Sequence, residues 1–278
     1  MLSYGRTASG RILTGTIIKA TKTESTPGFP FAVALGGSNM NEGSVRILGI
    51  ARPGDFDFDS GSHNEVSVFL QPFQSLQEAK WRYFTAGWNG VAHRFLSTAE
   101  HDEAYRRTFA DGLKTHEDLY QMDRDLFDFF TNGLAVIECV CFSVYILGSI
   151  VNSGRFPIRP DSALRDNVYP KRVVQLLKRD FPNEEITGML ARTVDSGPFR
   201  EWKDVRDALS HRASPARTFY ENVGGPPRTN VEVGWVAPGI NLTLKVDTSA
   251  TRREWLAIAL SGLMKATVGF CARLPRPS

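Results

Sequence analysis

Gly133–Val151 reads GLAVIECVCFSVYILGSIV, a nineteen-residue run in which Glu138 carries the sole charge. Together with the residues before it, this stretch predicts one long helix over Glu117–Asn152 whose second half is apolar on every side. Such a helix has to lie inside others, and at least three more are needed to cover it. The run is near the minimum length for a membrane span. Glu138 near its middle, its Cys, Ser and Gly residues, and the alternating charged and aromatic residues upstream instead fit the central helix of a soluble bundle. Met1–Ala20 holds no continuous apolar core of the kind a signal peptide needs. A cytoplasmic protein without membrane contact is therefore expected.

Outward from this helix, the sequence predicts others on both sides. Pro72 precedes a helical stretch, Phe73–Ala99, with Leu76, Tyr83, Phe84, Val91 and Phe95 as apolar positions, and a second helix is expected over Ala104–Lys114. Downstream, Pro170 suits the first turn of a helix through Phe181. Asn183 can cap the next, which carries Ile186, Met189, Leu190 and Val194. Ser196-Gly197-Pro198 starts a further helix, which Pro215 ends. Gly224-Gly225-Pro226-Pro227 reads as a loop. Val231–Val236 and Ile240–Val246, joined by Pro238-Gly239, read as a β-hairpin, and Ser249 or Thr251 can cap a last helix through Cys271.

The residues before Pro72 differ in character, being rich in Gly, Ser, Thr and Asn. Arg11–Ile18, Phe29–Leu35, Val45–Ile50 and Glu65–Leu70 are strand candidates, with turns at Gly36–Asn39 and Pro53–Asp55. The expected organisation has three parts: residues 1–71 form a β-containing or partly disordered extension, 72–217 a helical bundle, and 218–278 a hairpin and helix packed on that bundle. The fold class is mainly α.

A chain of 278 residues with 42% hydrophobic and 23% charged residues can bury a real core. Its net charge of +3 advertises no general affinity for nucleic acid. Arg155–Arg217 holds 13 Lys/Arg against 9 Asp/Glu, a local +4 that also suits a solvated helix surface. Cys139, Cys141 and Cys271 form no disulfide framework and read as buried free thiols.

Chemistry concentrates at Arg206-Asp207-Ala208-Leu209-Ser210-His211. A histidine exchanges protons near neutral pH, and an arginine clamps phosphate oxygens with two prongs. On a helical wheel Phe199, Trp202, Val205 and Leu209 form an apolar stripe, with Arg206 at its edge. Asp207 and His211, four apart, stack on a polar face, where the carboxylate can accept the Nδ1 proton of His211. Arg206 and His211 diverge by about 140° around the axis. Either the helix frays before His211, or two copies of the motif meet across a two-fold axis and share a site.

This arrangement resembles the HEPN superfamily of all-helical domains, marked by Arg, a polar residue, three variable residues and His. Here these are Arg206, Asp207, Ala208-Leu209-Ser210 and His211, followed by Arg212. The resemblance covers about residues 72–215. It implies a metal-independent endoribonuclease of toxin–antitoxin or phage-defence type, acting as a homodimer on RNA, with an antitoxin or other defence-system partner in some cases. In that reading His211 moves protons at the ribose 2′-hydroxyl or the leaving 5′-oxygen, Arg206 stabilises the phosphate, and Asp207 orients the site. Ser210 and Arg212 flank the motif as supporting groups. The resemblance equally accommodates a catalytically silent bundle that dimerises or binds nucleic acid or nucleotides. A plain helical interaction module is the third reading.

Glu138 is the odd residue of the apolar helix, because a carboxylate among Ile137, Cys139 and Val140 needs a partner. Contact with Arg206 or another arginine of the motif helix is the expectation. His93, Glu100, His101 and His116-Glu117-Asp118 match no standard metal spacing, and neither an HExxH nor a CxxC pattern occurs. No metal and no cofactor is expected. Ser210 beside His211 is not a nucleophile arrangement, since adjacent helical residues point apart. Trp81, Tyr83 and Trp88 read as core or dimer contacts rather than base-stacking platforms.

Overall fold

The computed structural model describes residues 44–47, 50–53, 57–74, 77–111, 115–158, 168–211, 216–220, 232–237 and 240–274. The expected strands Arg11–Ile18 and Phe29–Leu35, the Gly36–Asn39 and Gly54-Asp55 turns, Leu76, Arg212, Pro215, the Gly224–Pro227 loop and the Pro238-Gly239 turn lie outside these residues. The described residues all belong to one unit, Asn41–Ser278. It is mainly α, with seven α-helices among the described residues.

The long helix runs over His116–Val151 and is here α3. Thr115 starts it with a capping box: its hydroxyl accepts from the Asp118 amide, and the Asp118 carboxylate accepts from the Thr115 amide. Leu126, Phe129, Phe130, Val136, Val140, Val144, Ile146 and Leu147 are all fully buried along it. Both α3 and the last helix, Thr248–Ala272, have the length and apolar composition of a membrane span, and two-thirds of the most apolar window of α3 is buried inside the protein.

One helix, α2 (Glu78–Ala110), replaces the two expected over Phe73–Ala99 and Ala104–Lys114; a short 3-10 turn, Gln71–Phe73, precedes it. It runs antiparallel to α3, with polar rungs along the seam. Lys80 Nζ donates to the Ser149 carbonyl at 2.8 Å, Arg94 Nη1 to Asn132 Oδ1 at 2.8 Å, and His101 Nδ1 lies 3.2 Å from Asp125 Oδ1.

Glu65–Leu70, read as a strand, is instead the end of helix α1 (Ser60–Leu70). Asp59 caps it through Oδ1, which accepts from the Ser62 amide at 3.0 Å. Val66 and Leu70 share one face and are fully buried, while Val68 is exposed. The period is therefore helical. His63, also buried, stacks on Trp88 at 5.1 Å; its Nε2 lies 3.0 Å from the Trp88 carbonyl, and Trp88 Nε1 donates to the His63 carbonyl. Upstream, Val45–Ile50 does not form one strand. Ser44–Ile47 and Ile50–Pro53 form an antiparallel pair, β1 and β2.

Helices α4 (Pro170–Asp180), α5 (Glu185–Asp195) and α6 (Gly197–His211) follow. Glu184, not Asn183, holds the cap position of α5, and its side chain makes no capping bond. Ser196 caps α6 by accepting from the Phe199 amide at 3.2 Å. The hairpin expected near the C-terminus is present as β4 (Glu232–Ala237) and β5 (Ile240–Leu244), and β3 (Ala216–Tyr220) adds an unexpected third antiparallel strand beside β4. Trp235, Leu242 and Leu244 are buried from this sheet. The Tyr105 hydroxyl donates to the Lys245 carbonyl at 2.8 Å, fastening the sheet's exit to α2.

The last helix, α7 (Thr248–Ala272), begins at Asp247, so neither Ser249 nor Thr251 caps it. It packs against α1, α2, α3 and α5. Arg253 Nη1 donates to the fully buried Asp102 at 2.7 Å, and Arg252 Nη2 donates to Glu201 of α6 at 2.5 Å. Gly262 lets α7 pass close to Met189 of α5.

Candidate functional site

The motif helix α6 is seated on α3 by its apolar stripe. Phe199, Trp202, Val205 and Ala208 are buried, and Leu209 is half-buried. Trp202 lies against Gly133, where any Cβ would overlap the six-membered ring of the indole. Phe129 and Phe130 enclose it, with ring centroids at 4.7 and 5.2 Å. This contact fixes the rotation of α6 and thereby the direction of its next turn.

That turn brings Arg206 onto Glu138. Arg206 Nη2 donates to Glu138 Oε1 at 3.3 Å, joining α6 to the apolar half of α3 as expected. The Nε of Arg206 lies 2.9 Å from Asp207 Oδ1, close enough for an ion pair, although the angle leaves this buried N–H without a well-aligned acceptor. Lys203 Nζ donates to the other Asp207 oxygen at 2.6 Å. Lys203 and Arg206 therefore share the Asp207 carboxylate, which belongs to a denser charge cluster than a lone Asp–His pair. Burial pushes the Glu138 carboxyl above its ordinary range, with Arg206 pulling it back only in part.

Helix α6 is unbroken through His211, so the fraying alternative does not hold for the backbone. The His211 side chain and Arg212 lie outside the described residues. Ser210 is exposed. Of the expected site residues, the structure brings together Arg206, Asp207 and Glu138.

Two further groups lie along the α2–α3 seam, where the sequence read Cys139 only as a buried thiol and His101 only as a metal-type side chain without metal spacing. Cys139, next to Glu138, faces α2 at Gly90, where a Cβ would sit 3.0 Å from its sulfur. Burial pushes its thiol up to about 11; the Arg94 charge pulls it down and the Glu138 charge pushes it up. Arg94, one turn beyond Gly90, is thus within electrostatic reach of the same step of α3.

His101, two turns further along the same face of α2, lies against Asp125, whose side chain is 2% exposed. A carboxylate only accepts, so the Nδ1 proton belongs to the histidine. Its Nε2 is 3.8 Å from Asp128, and Gln121 donates to the second oxygen of Asp125 at 3.0 Å. The seven-residue spacing of Arg94 and His101 was the available signal. Among the described residues, no group of three or more His, Cys, Asp or Glu side chains could hold a metal ion. A shallow depression lined by Gln71, Pro72, Gln74 and Glu78 shares no residue with the Arg206 cluster.

Comparison with protein-family models, with curated proteins and with solved structures found no match.

Proposed function

We propose that this chain is a HEPN-like, metal-independent endoribonuclease that cuts RNA at a site shared between two copies. The observation that carries the reading is Arg206, held at the edge of the α3–α6 contact by Glu138 and Asp207 on a helix that runs intact to His211. An unbroken helix keeps Arg206 and His211 about 140° apart, so one chain does not present both to one phosphate. Two facing motif helices do. Attack by the ribose 2′-oxygen, with His211 moving the proton and Arg206 stabilising the pentacoordinate phosphate, gives a 2′,3′-cyclic phosphate and a 5′-hydroxyl. A cytoplasmic toxin–antitoxin or phage-defence role, with an antitoxin or defence partner and no membrane contact, completes this reading.

A silent module is the second reading, and one observation favours it. Arg206 already faces two carboxylates, Glu138 and Asp207, which compete with a phosphate for its donors.

The test is incubation of purified protein with total RNA in EDTA, beside Arg206→Ala and His211→Ala variants. Chelator-resistant cleavage that both variants lose supports the enzyme. Intact dimers that cut nothing favour the silent module, and a monomer in sedimentation overturns both.

A further inference from the structure

We propose that the outer face of α4, together with Tyr169 at its head, is a docking surface for single-stranded nucleic acid. It shares no residue with the Arg206 cluster and does not depend on the ribonuclease reading, since a silent module would use it equally. Lys171, Arg172, Gln175, Lys178 and Arg179 fall within an arc of about 120° around the helix. All five are exposed. The opposite side carries Val173, Val174, Leu176 and Leu177, all buried. The cations form two adjacent pairs, Lys171-Arg172 and Lys178-Arg179, about 10.5 Å apart along the axis.

Segregation, rather than a missing counter-ion, sets this face apart. Exposed cations of other helices are interleaved with acids one turn away: Arg82 with Glu78, Arg107 with Glu103, Lys203 with Asp207. The arc of α4 holds no acid. Asp180, the one carboxylate of the helix, lies outside the arc, half-buried, and pairs with Arg179. The placement also opposes stability. Lys171 and Arg172 stand in a first turn that has no acidic residue, where the helix dipole disfavours positive charge. The first turns of α2, α3 and α5 carry Glu78, Glu117 with Asp118, and Glu185 instead. A helix that is cationic against its own dipole is suited to a polyanion that arrives from outside.

The kind of polyanion follows from what the face lacks and from what stands beside it. The apolar residues of α4 are committed to the core, so none is left to enter a lipid surface. Nor does the arc offer the apolar centre that a protein interface uses. A row of fixed cations fits the repeated phosphates of a nucleic-acid strand. Tyr169 directly precedes the row and is 51% exposed. Pro170 confines its backbone to the extended region, with φ −111° and ψ 154°, so the ring is carried at a fixed point at the start of the helix. An open aromatic ring beside cations stacks an unpaired base, which a duplex keeps within its own stack.

The test uses the full chain and a fluorescent single-stranded RNA methylated at every 2′-oxygen, which has no 2′-hydroxyl to attack and so is bound without being cut. It is titrated between about 50 and 200 mM KCl. The triple change Lys171→Gln, Arg172→Gln and Lys178→Gln is compared with Arg106→Gln, Arg124→Gln and Lys265→Gln, which removes equal charge from exposed positions on α2, α3 and α7. The α4 variant should shrink the slope of log affinity on log salt by about 2 and bind about a hundredfold more weakly at about 100 mM KCl. Its melting temperature should not fall, because two of the lost charges opposed the dipole. The second variant should keep the wild-type slope. Tyr169→Leu should bind the single strand about tenfold more weakly at an unchanged slope, and an RNA duplex as wild type does. Equal losses in both triple variants, a wild-type slope in the α4 variant, full affinity in Tyr169→Leu, or binding to phosphatidylserine vesicles but not to RNA would each overturn the inference. The ribonuclease reading is decided separately, by cleavage of unmethylated RNA.

Discussion

Trp202 of α6 covers the bare backbone of Gly133 in α3, so the indole occupies the space where any other residue would put its Cβ. The close approach is possible only because position 133 has no side chain. Gly133→Ala is expected to push Trp202 out of its cage of Phe129 and Phe130, costing about 3 kcal/mol. Denaturant unfolding followed by tryptophan fluorescence checks this. An unchanged midpoint would show that α6 docks by other means.

Glu138 is expected to tune Arg206 rather than to stabilise the fold. Its carboxyl is raised above the ordinary range by burial, so its contribution to stability is whole below that range and is lost as pH rises through the raised value. Glu138→Gln removes that cost and also the charge that holds Arg206. Stability should stay within about 1 kcal/mol of wild type, because the pair is only part-buried. In the ribonuclease reading proposed above, RNA cleavage should fall about tenfold. Full activity and full stability together would remove Glu138 from the site.

His63 gives the protein an acid-sensitive joint. Burial depresses its pKa, with the Trp88 carbonyl and the Asn64 side chain opposing that effect. The unfolded chain therefore binds the proton first. Stability is whole above the ordinary histidine value of about 6.5 and is lost as pH falls toward the depressed one, by at most about 1.4 kcal/mol per pH unit. Melting temperatures between pH 7.5 and 5 (about the histidine range) should show this loss. A His63→Gln protein, weaker at neutral pH, should lack that component.

Asp102 and Arg253 are expected to be unequal partners. Asp102 is fully buried, whereas the Arg253 side chain is 28% exposed and also lies 3.4 Å from Asp57. Arg253→Ala strands a buried carboxylate and should cost about 3 kcal/mol. Asp102→Asn keeps an acceptor and should cost less. Urea midpoints of the two variants decide the order.

All three thiols should be slow to react. Burial pushes Cys139 up to about 11 and Cys271 to about 12, and raises Cys141 as well. Native protein treated with iodoacetamide at neutral pH should stay unlabelled while denatured protein takes three labels, one for each free cysteine.

The sequence was informative wherever one residue had to answer to its own neighbours. The apolar run around Glu138 announced a buried helix, and the isolated carboxylate required the partner that α6 supplies. Other features depended on residues far along the chain. The charged stretch Glu100–Glu103 resembled a gap between helices, yet Asp102 is paired with Arg253, 151 positions away, and His101 with Asp125. Glu65–Leu70 alternates like a strand, and only the Asp59 cap and the buried i,i+4 pair Val66 and Leu70 reveal the helix. Strand β3 is five residues of ordinary composition, paired along one side with β4, and carries no local mark. The hydrogen bond from Arg94 to Asn132 joins two helices and likewise leaves no local mark.

Asp59 caps α1 and also accepts from the Ser261 hydroxyl of α7 at 3.2 Å, across 202 positions of chain. The first described helix thus waits for the last. On a ribosome that interval lasts on the order of 10–40 s at ordinary elongation rates. Throughout it the faces of α1 and α3 that α7 will cover have nothing to close them. A chain cut short by a premature stop before α7 should be recognised as unfinished and degraded, rather than persisting as a weaker version of the same protein.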